Sequence, residues 1–492
     1  MRVTAVNDAP IASRGAYVLY WMIAARRARW SFALDHAIAR ARELDCPLLV
    51  FEPLRAGYRW ASDRMHAFVL QGMADNAKAF ASAGITYLPY VEPEPGAGRG
   101  LLAALAERAR LVVTDEQPGF FLPHMVAAAG KALPVRLEQV DGNGLLPLRA
   151  TERAYPTAAA FRRVMQRELP KVLALPAADP LARVPRAIKD AELRGRELRA
   201  WPRASDALLA AAPAALAALP IDHTVPVAPL VGGMHAARAT LDDFLAHKLA
   251  RYGEGRNHPD DDAASGLSPW LHFGHISAHE IAAGVWASAG WDPSRLATAK
   301  VTGAREGWWG LPAPHEAFLD ELVTWRELGY GFCFHRDDYD QYASLPDWAK
   351  ATLAEHAHDP RPERYTPAQL ARAETGDPVW NAAQRQLLAE GRMHNYLRML
   401  WGKKILEWSP SPQRALATLI ELNNKYAIDG RDPNSYSGIF WTLGRFDRPW
   451  APVRPIFGSI RYMSSAATVK KLHMKQYLTR WSDPPRQGTF AL

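Results

Sequence analysis

The stretch YVLYWM at residues 17–22 is the first of five short apolar runs near the start of the chain. The other four are PLLVF, ITYLPY, LVVT and VRLEQV, at residues 47–51, 85–90, 111–114 and 135–140. Segments with helical spacing of apolar residues separate them, such as residues 30–44 and 63–83. Alternation of strands and helices is typical of βαβ units, so we predict an α/β domain with a doubly wound parallel sheet.

The pattern changes after this domain. Residues 170–229 contain prolines at positions 170, 176, 180, 185, 202, 213, 220, 226 and 229. Proline is excluded from the interior of regular helices, so this segment is predicted to be a connector with short helical pieces. Beyond it the spacing of apolar residues is helical throughout. Asp377 is predicted to cap a helix that ends at Gly391, and Ser411 is predicted to start another. We therefore predict an α/β domain at residues 1–168, a proline-rich connector at 169–235 and an all-α domain at 236–492.

Composition narrows the class of protein. The chain has 492 residues, a formal net charge of +8 and 48% hydrophobic residues, which excludes disorder, a fibre or a mini-protein. The two cysteines, Cys46 and Cys333, lack the spacing of a disulfide framework or a metal site, so no metal is expected. The apolar run at residues 16–25 is too short to span a bilayer. These features predict a cytoplasmic protein without a membrane segment.

Two groups of residues suit a polar ligand. Ser268 and Pro269 have the pattern of a helix start, and Gly266 before them permits close approach of a phosphate to the backbone. Asn423 falls on the apolar face of a predicted helix, where an unpaired amide costs about 1–3 kcal/mol. Each pattern also has an ordinary structural interpretation, namely a capped helix and an amide bonded to the backbone. Arg398 is a candidate ion-pair partner for Asp429.

Aromatic residues form two further groups. All but four of the 17 tryptophans lie at or after residue 270. Trp401 and Trp408 share a helix face, with Trp380 at the start of the preceding helix, which indicates either core packing or a relay for single electrons. Glu321 and Trp325 also share a helix face, where the carboxylate could bind a ring, pair with a neighbouring arginine or face solvent.

Several segments closely resemble class II cyclobutane pyrimidine dimer photolyases. They are WNAAQ at 380–384, MHNYLRMLWGKKILEW at 393–408, LN at 422–423, DGRDPN at 429–434 and IFGSIRYM at 456–463. The stretch SGLSP at 265–269 resembles a motif shared more widely by photolyases and cryptochromes. The resemblance covers residues 236–475 with specific motifs, whereas residues 15–140 are similar in architecture alone.

The resemblance implies a U-shaped FAD in the helical domain and light-driven electron transfer to a pyrimidine dimer flipped out of UV-damaged DNA. It implies that the cofactor is held by Tyr252, Ser265, Gly266, Leu267, Ser268, Arg398, Asn423, Asp429 and Arg431. Trp401 and then Trp380 would carry electrons to the flavin, with Trp408 as their neighbour. Glu321 would bind the dimer, and Trp325 and Trp441 would pack against it. The N-terminal domain would be of the antenna type, with a deazaflavin or another second chromophore.

The chain departs from the family pattern at two places. Residues 22–30 read MIAARRARW in place of an Arg-Asp-x-Arg type segment, which concerns the antenna domain. Gly444 and Arg445 stand where the family has a glycine pair, close to the expected lesion.

Three alternatives remain beside repair by a monomeric photolyase. A cryptochrome-like blue-light photoreceptor would use the same FAD and tryptophan relay, but it typically carries a signalling tail, and no extended tail is expected after residue 463. A (6-4) photolyase relies on histidines, for which His394 is the nearby candidate. A helical scaffold without catalysis leaves Asn423 and the motif at 265–269 unexplained.

Overall fold

The computed structural model describes residues 1–182, 184–185, 189–193, 199–298 and 300–482. Its sheet contains, in chain order, the strands β1 (Val3–Ala5), β2 (Tyr17–Trp21), β3 (Leu48–Leu54), β4 (Thr86–Val91), β5 (Ala109–Asp115) and β6 (Leu137–Val140). The spatial order is β1-β6-β5-β2-β3-β4, and all neighbours are parallel except β1 with β6. The predicted doubly wound sheet is confirmed, and the antiparallel edge strand β1 is an addition that the sequence pattern did not predict.

Helices cover both faces of this sheet. They are Phe32–Glu43, Asp63–Ala83, Leu101–Ala106 and Leu122–Ala132. Ser31 and Ser62 begin the first two, since each hydroxyl accepts a hydrogen bond from the backbone N–H three residues later. Alternate residues of β2 enter separate cores on the two sides of the sheet, which explains why the whole strand is apolar.

The region after the sheet links it to the helical part. The helix Ala158–Val172 crosses the predicted boundary at residue 168 and packs Phe161 and Leu169 into the core of the helical part. The next described helices are short, Asp206–Leu209 and Pro213–Ala217. Residues 183, 186–188 and 194–198 of the predicted connector lie outside the described residues, as do residues 299 and 483–492 of the predicted all-α domain. The bounds of the three predicted segments stay predictions.

The remaining elements of the described chain are helical. The α-helices are Met234–Asp243, Tyr252–Gly255, Ser268–His272, Ala278–Ser288, Ala313–Leu319, Arg326–Phe334, Asp347–Glu355, Pro367–Ala371, Pro378–Glu390, Asn395–Trp408, Pro412–Tyr426, Pro433–Thr442, Ser465–Lys471 and Lys475–Trp481. Phe244–Lys248 and Asp320–Trp325 are π-helical. Short 3₁₀ turns lie at Leu148–Ala150, Leu249–Arg251, Pro259–Asp261, Pro293–Thr298 and Tyr342–Ser344. None of the described helices combines the length and apolar character needed to cross a bilayer.

Capping residues set the ends of the two helices that support the candidate site. Asp377 accepts hydrogen bonds from the backbone N–H groups of Val379 and Trp380, so the helix Pro378–Glu390 begins there as predicted. It ends at Gly391, whose φ of 68° is left-handed. Ser411 caps the helix Pro412–Tyr426 in the same way. Local chemistry therefore determines where these helices lie.

Arg64 joins the sheet half of the molecule to the helical half. Its side chain is buried in the helix Asp63–Ala83, and its guanidinium donates to the carbonyls of Leu387, Leu388 and Tyr426. These carbonyls lie at the C-terminal ends of two helices, where backbone acceptors lack intrahelical partners and favour a cation. Burial lowers the pKa of Arg64 to about 10.

We predict that Arg64→Ala lowers the free energy of unfolding by about 3–5 kcal/mol, because several buried carbonyls lose their donor. Chemical denaturation followed by circular dichroism would measure the change. Arg59→Ala is the control, since Arg59 forms an exposed ion pair with Glu421 and should contribute less than about 1 kcal/mol. Equal stability of the two variants would contradict this role for Arg64.

Candidate active site

A cavity of about 1060 Å³ lies in the helical part of the molecule. Ten of the predicted site residues line it: Tyr252, Ser265, Gly266, Leu267, Ser268, Glu321, Trp325, Arg398, Asp429 and Trp441. The other five, Asn423, Arg431, Trp380, Trp401 and Trp408, are not among its lining residues. The structure therefore brings together residues that are up to 189 positions apart in the sequence.

The loop before the helix Ser268–His272 forms part of the cavity wall. Gly266 has a φ of 68°, and a side chain there would place its Cβ 3.1 Å from Nη1 of Arg392. Glycine adopts this left-handed conformation without a steric penalty. Ser268 was predicted to be the N-cap, and this is wrong. Ser268 is the first residue of the helix, and Leu267 occupies the N-cap position with φ −78° and ψ −8°.

Several cations surround this loop and the adjacent space. Seven arginines line the cavity, among them Arg256, Arg305, Arg392 and Arg480, and seven carboxylates line it as well. His394 also lines it, and its Nδ1 atom is buried without a hydrogen-bond partner among the described residues. Burial lowers the pKa of His394 to about 4. The guanidinium groups are donors suited to a phosphate or pyrophosphate, and the imidazole beside them is neutral.

Arg398 and Asp429 form the predicted ion pair. The two guanidinium nitrogens of Arg398 lie 3.2 and 3.0 Å from the carboxylate oxygens of Asp429. Arg398 lies on the helix Asn395–Trp408, and Asp429 follows the helix Pro412–Tyr426. Such bidentate pairs are geometrically specific, and this one leaves both side chains at the cavity wall.

Asn423 does not line the cavity but contacts Ser435, which does. Its side chain is buried, and its Nδ2 atom donates to Oγ of Ser435 at 2.8 Å and to Oδ1 of Asn424 at 3.2 Å. Ser435 itself lines the cavity. The Nδ2 atom on the apolar helix face is therefore bonded to two side chains, and not to the backbone group that the structural interpretation of the sequence expected.

Arg431 lies away from the large cavity. Its backbone is left-handed, with a φ of 70°, while Asp429 and Asp432 on either side line the large cavity. Arg431 instead lines a second cavity of about 420 Å³ against the carboxyl ends of the strands, where its guanidinium lies over the ring of Phe273. The spacing of residues along DGRDPN could not predict that the Arg431 side chain lines a different cavity from its neighbours Asp429 and Asp432.

The three predicted relay tryptophans are buried in one contiguous group. The rings of Trp380 and Trp401 are nearly parallel, with centroids 6.2 Å apart and an interplanar angle of 5°. Trp408 meets Trp380 edge-on at 5.5 Å. Nε1 of Trp401 donates to Oε1 of Gln384, and Nε1 of Trp380 donates to the carbonyl of Trp401. Beyond Trp408 lies Tyr365, at 4.9 Å, which the sequence analysis missed.

Glu321, Trp325 and Trp441 lie on another side of the large cavity. Sequence spacing predicted an α-helix through Glu321, but this stretch is π-helical, so its residues occupy a wider turn. Glu321 pairs with Arg256, whose Nη1 lies 2.5 Å from Oε1. The Glu321 side chain is 31% exposed. Arg326, the partner considered from sequence, donates to the carbonyl of Asn143 instead.

Sequence reasoning missed part of the cavity wall. Arg256 lies four residues after Tyr252, and its guanidinium packs over the Tyr252 ring at 5.4 Å, a contact that the sequence analysis did not state. The helix Lys475–Trp481 also contributes, through Gln476, Tyr477, Arg480 and Trp481. Backbone N–H groups of Gln476 and Tyr477 donate to Asp260, more than 200 residues away. No local pattern could reveal that contact.

The chain is similar to known proteins over nearly its whole length. The chain matches no protein-family model. It is 33% identical over 484 residues to a deoxyribodipyrimidine photo-lyase of Methanothermobacter thermautotrophicus, covering 97% of both chains. A deoxyribodipyrimidine photo-lyase of Oryza sativa subsp. japonica is 35% identical over 482 residues, covering 94% of this chain and 87% of the relative.

Two solved structures have a similar fold. A bacterial class III photolyase from Agrobacterium tumefaciens aligns with a TM-score of 0.66 at 18% identity, covering 95% of this chain and 86% of that one. A cryptochrome from Synechocystis sp. PCC6803 aligns with the same TM-score at 16% identity, covering 95% of this chain and 89% of that one.

Proposed function

The chain belongs to the deoxyribodipyrimidine photo-lyases of the photolyase and cryptochrome superfamily, and from that premise we propose that it repairs cyclobutane pyrimidine dimers in UV-damaged DNA as a class II member. One observation carries the proposal. A single cavity gathers the loop around Gly266, the Arg398–Asp429 pair, and the acidic and aromatic group of Glu321, Trp325 and Trp441. That arrangement suits a dinucleotide cofactor next to a substrate that packs against aromatic rings.

The residues of the cavity fit FAD. Its volume of about 1060 Å³, its guanidinium groups and the unpartnered Nδ1 of His394 suit a large ligand with a pyrophosphate and polar ring edges. We propose that Tyr252, Ser265, Gly266, Leu267 and Ser268 hold the phosphates and the ribityl chain, and that Arg398 with Asp429 flanks the ring system. When bound and reduced, FAD supplies the light-driven electron chemistry.

The remaining predicted site residues would either carry electrons to the flavin or bind the pyrimidine dimer. Trp401 and Trp380 would pass electrons inward from the surface, with Trp408 continuing the contact toward Tyr365. Glu321 would orient the flipped dimer by hydrogen bonding, while Arg256 holds the carboxylate in place. Trp325 and Trp441 would replace the stacking that the dimer loses on leaving the duplex.

Two other predicted cofactor contacts take different places in this proposal. Asn423 would act through Ser435, to which its amide donates, and not as a direct wall residue. Arg431 would belong to the 420 Å³ cavity, together with Arg26, Arg55 and Arg99. That cavity, lined by aromatic rings and arginines, is where we propose that a deazaflavin or another planar antenna chromophore binds.

The proposal is tested by purifying the protein and measuring flavin absorbance, followed by blue-light repair assays. Three substrates are needed: DNA with a cyclobutane dimer, DNA with a (6-4) photoproduct, and undamaged DNA, each in light and in darkness. We expect repair of the cyclobutane dimer in light alone. Protein without flavin would overturn the proposal. Photoreduction without repair would indicate the cryptochrome-like photoreceptor, and repair of the (6-4) product alone would indicate the other photolyase.

A glycine substitution tests the cofactor loop separately. Gly266→Ala should weaken FAD binding about tenfold, because the left-handed backbone disfavours a Cβ by about 1–2 kcal/mol and Arg392 lies in its path. FAD retained after dialysis, and the dissociation constant after reconstitution, would measure the effect. Gly331→Ala is the control, since a Cβ there meets nothing within 4 Å. Unchanged FAD affinity in Gly266→Ala would remove this loop from the cofactor site.

A further inference from the structure

Lys403 is a buried cation that the proposed mechanism does not use. Its side chain has 0% exposure on the helix Asn395–Trp408. Its Nζ atom donates to the carbonyl of Thr442 at 2.8 Å and lies 4.7 Å from the centroid of the Trp441 ring. No carboxylate lies within 4.0 Å of it in the described part of the chain. Lysine is almost never fully buried unless paired, so this position requires an explanation.

Close helix packing brings Lys403 to this position. A Cβ on the preceding residue, Gly402, would lie 2.5 Å from Cγ2 of Thr442, so only glycine lets the two helices approach this closely. Trp441 and Thr442 are the last two residues of the helix Pro433–Thr442. Carbonyls at a helix end lack intrahelical donors and lie at the negative end of the helix dipole. Lys403 therefore anchors the end of the helix that carries Trp441.

Trp441 lines two cavities. One is the large cavity, and the other is a smaller cavity of about 370 Å³. Its ring contacts a second cation, Arg461, whose Cζ lies 5.5 Å from the ring centroid. Arg461 is in turn held by Asp447, with Nε 2.9 Å from the carboxylate. Trp441 packs against the hydrophobic core of the helical part, and the two cations Lys403 and Arg461 also contact its ring, so charged neighbours contribute to its orientation.

We propose that Lys403 is a positioning residue for the lesion pocket, holding the Trp441 indole in the orientation that stacks on a pyrimidine dimer. This inference rests on the proposed function. Lys403 lies two residues from Trp401 and therefore on nearly the opposite helix face. Lesion binding should consequently depend on Lys403, whereas the tryptophan relay and the retention of FAD should not.

The charge on Lys403 makes a pH dependence measurable. Burial is the main cause that lowers the pKa of Lys403 to about 7, with Asp447 raising it and Arg461 lowering it. The amine is charged below pH 7 and loses its attraction to the indole face above it. Affinity for the lesion should therefore fall between pH 6 and pH 8 in the unmodified protein, and this fall should be absent in Lys403→Met.

The test compares Lys403→Met and Lys403→Gln in the FAD-bound protein. Binding to an oligonucleotide with one cyclobutane dimer is measured in darkness by fluorescence anisotropy. At pH 6.5 we expect Lys403→Met to bind about tenfold more weakly. Lys403→Gln keeps a donor for Thr442 and should lose less. Affinity for undamaged DNA, FAD content and photoreduction should stay unchanged, as should all values for the control Lys131→Met, since Lys131 is exposed at the end of the helix Leu122–Ala132.

A double substitution identifies Trp441 as the target. If Lys403 acts through the indole, then Lys403→Met should have no further effect on lesion affinity in a Trp441→Phe background. Additive losses, or lesion affinity unchanged in both Lys403 variants, would overturn the inference. So would a loss of FAD and photoreduction in proportion to lesion affinity in Lys403→Gln, which would indicate a purely structural role. Failure of the unmodified protein to bind FAD or the dimer would instead refute the proposed function.

Discussion

Replacing Trp401 by phenylalanine is expected to abolish photoreduction of the bound flavin while leaving FAD in place. Trp401 lies parallel to Trp380, at 6.2 Å between ring centroids, and three residues after Arg398 on the same helix. Phenylalanine fills most of the same volume but is far harder to oxidise than indole, so the path for single electrons would be interrupted. Loss of the indole N–H leaves Oε1 of Gln384 without its donor, which should cost about 1–3 kcal/mol of stability.

Absorbance of the oxidised flavin under blue light, with an external thiol as the final reductant, measures this effect. Trp286→Phe is the matched control, because Trp286 is equally buried but contacts Trp291 and Trp309 in another part of the core. Trp408→Phe should slow photoreduction less than Trp401→Phe does, since Trp408 meets Trp380 edge-on at the outer end of the group. Photoreduction that persists unchanged in Trp401→Phe would exclude Trp401 from the relay.

The sequence predicted those features that depend on local chemistry. Apolar runs separated by helical segments gave the parallel sheet, because buried central strands must be apolar on both faces. Asp377, Gly391 and Ser411 gave helix ends correctly, because capping is a contact within one turn. Strand β1 was missed because three residues, partly exposed, carry too little periodicity to be recognised.

Features that depend on distant contacts or on backbone reversal could not be predicted. Arg431 seemed adjacent to the cofactor because Asp429 is two residues away, but a left-handed backbone directs it into the other cavity. Non-glycine residues adopt that conformation uncommonly, and nothing in the sequence marks it. The partner of Glu321 was equally hidden, since Arg256 lies 65 residues earlier. Family resemblance supplied a role for Glu321 but did not supply this contact.

Glu321→Gln is expected to lower the rate of dimer repair by about tenfold to a hundredfold without changing photoreduction. The side chain lies in the π-helical segment Asp320–Trp325, partly exposed to the large cavity and fixed by Arg256 at 2.5 Å. Glutamine has the same size but is neutral, so it weakens the charge-assisted bond to Arg256 and loses one acceptor oxygen for the substrate. Complete removal of one positioned polar group typically costs about 10²–10³ in rate when the interaction is made in the transition state. Glutamine keeps one acceptor oxygen, so the expected loss is smaller.

The experiment separates chemistry from binding and from folding. Repair is followed under saturating light at several concentrations of dimer-containing DNA, so that turnover and apparent affinity are obtained separately, and FAD content is measured in the same samples. Glu355→Gln is the control, because Glu355 is exposed at the end of the helix Asp347–Glu355. Arg256→Gln should reproduce part of the loss, and the double variant should be less than additive because both changes break one contact. Normal turnover in Glu321→Gln would mean that this carboxylate serves only to pair with Arg256, and the lesion would then have to be bound by other groups of the cavity.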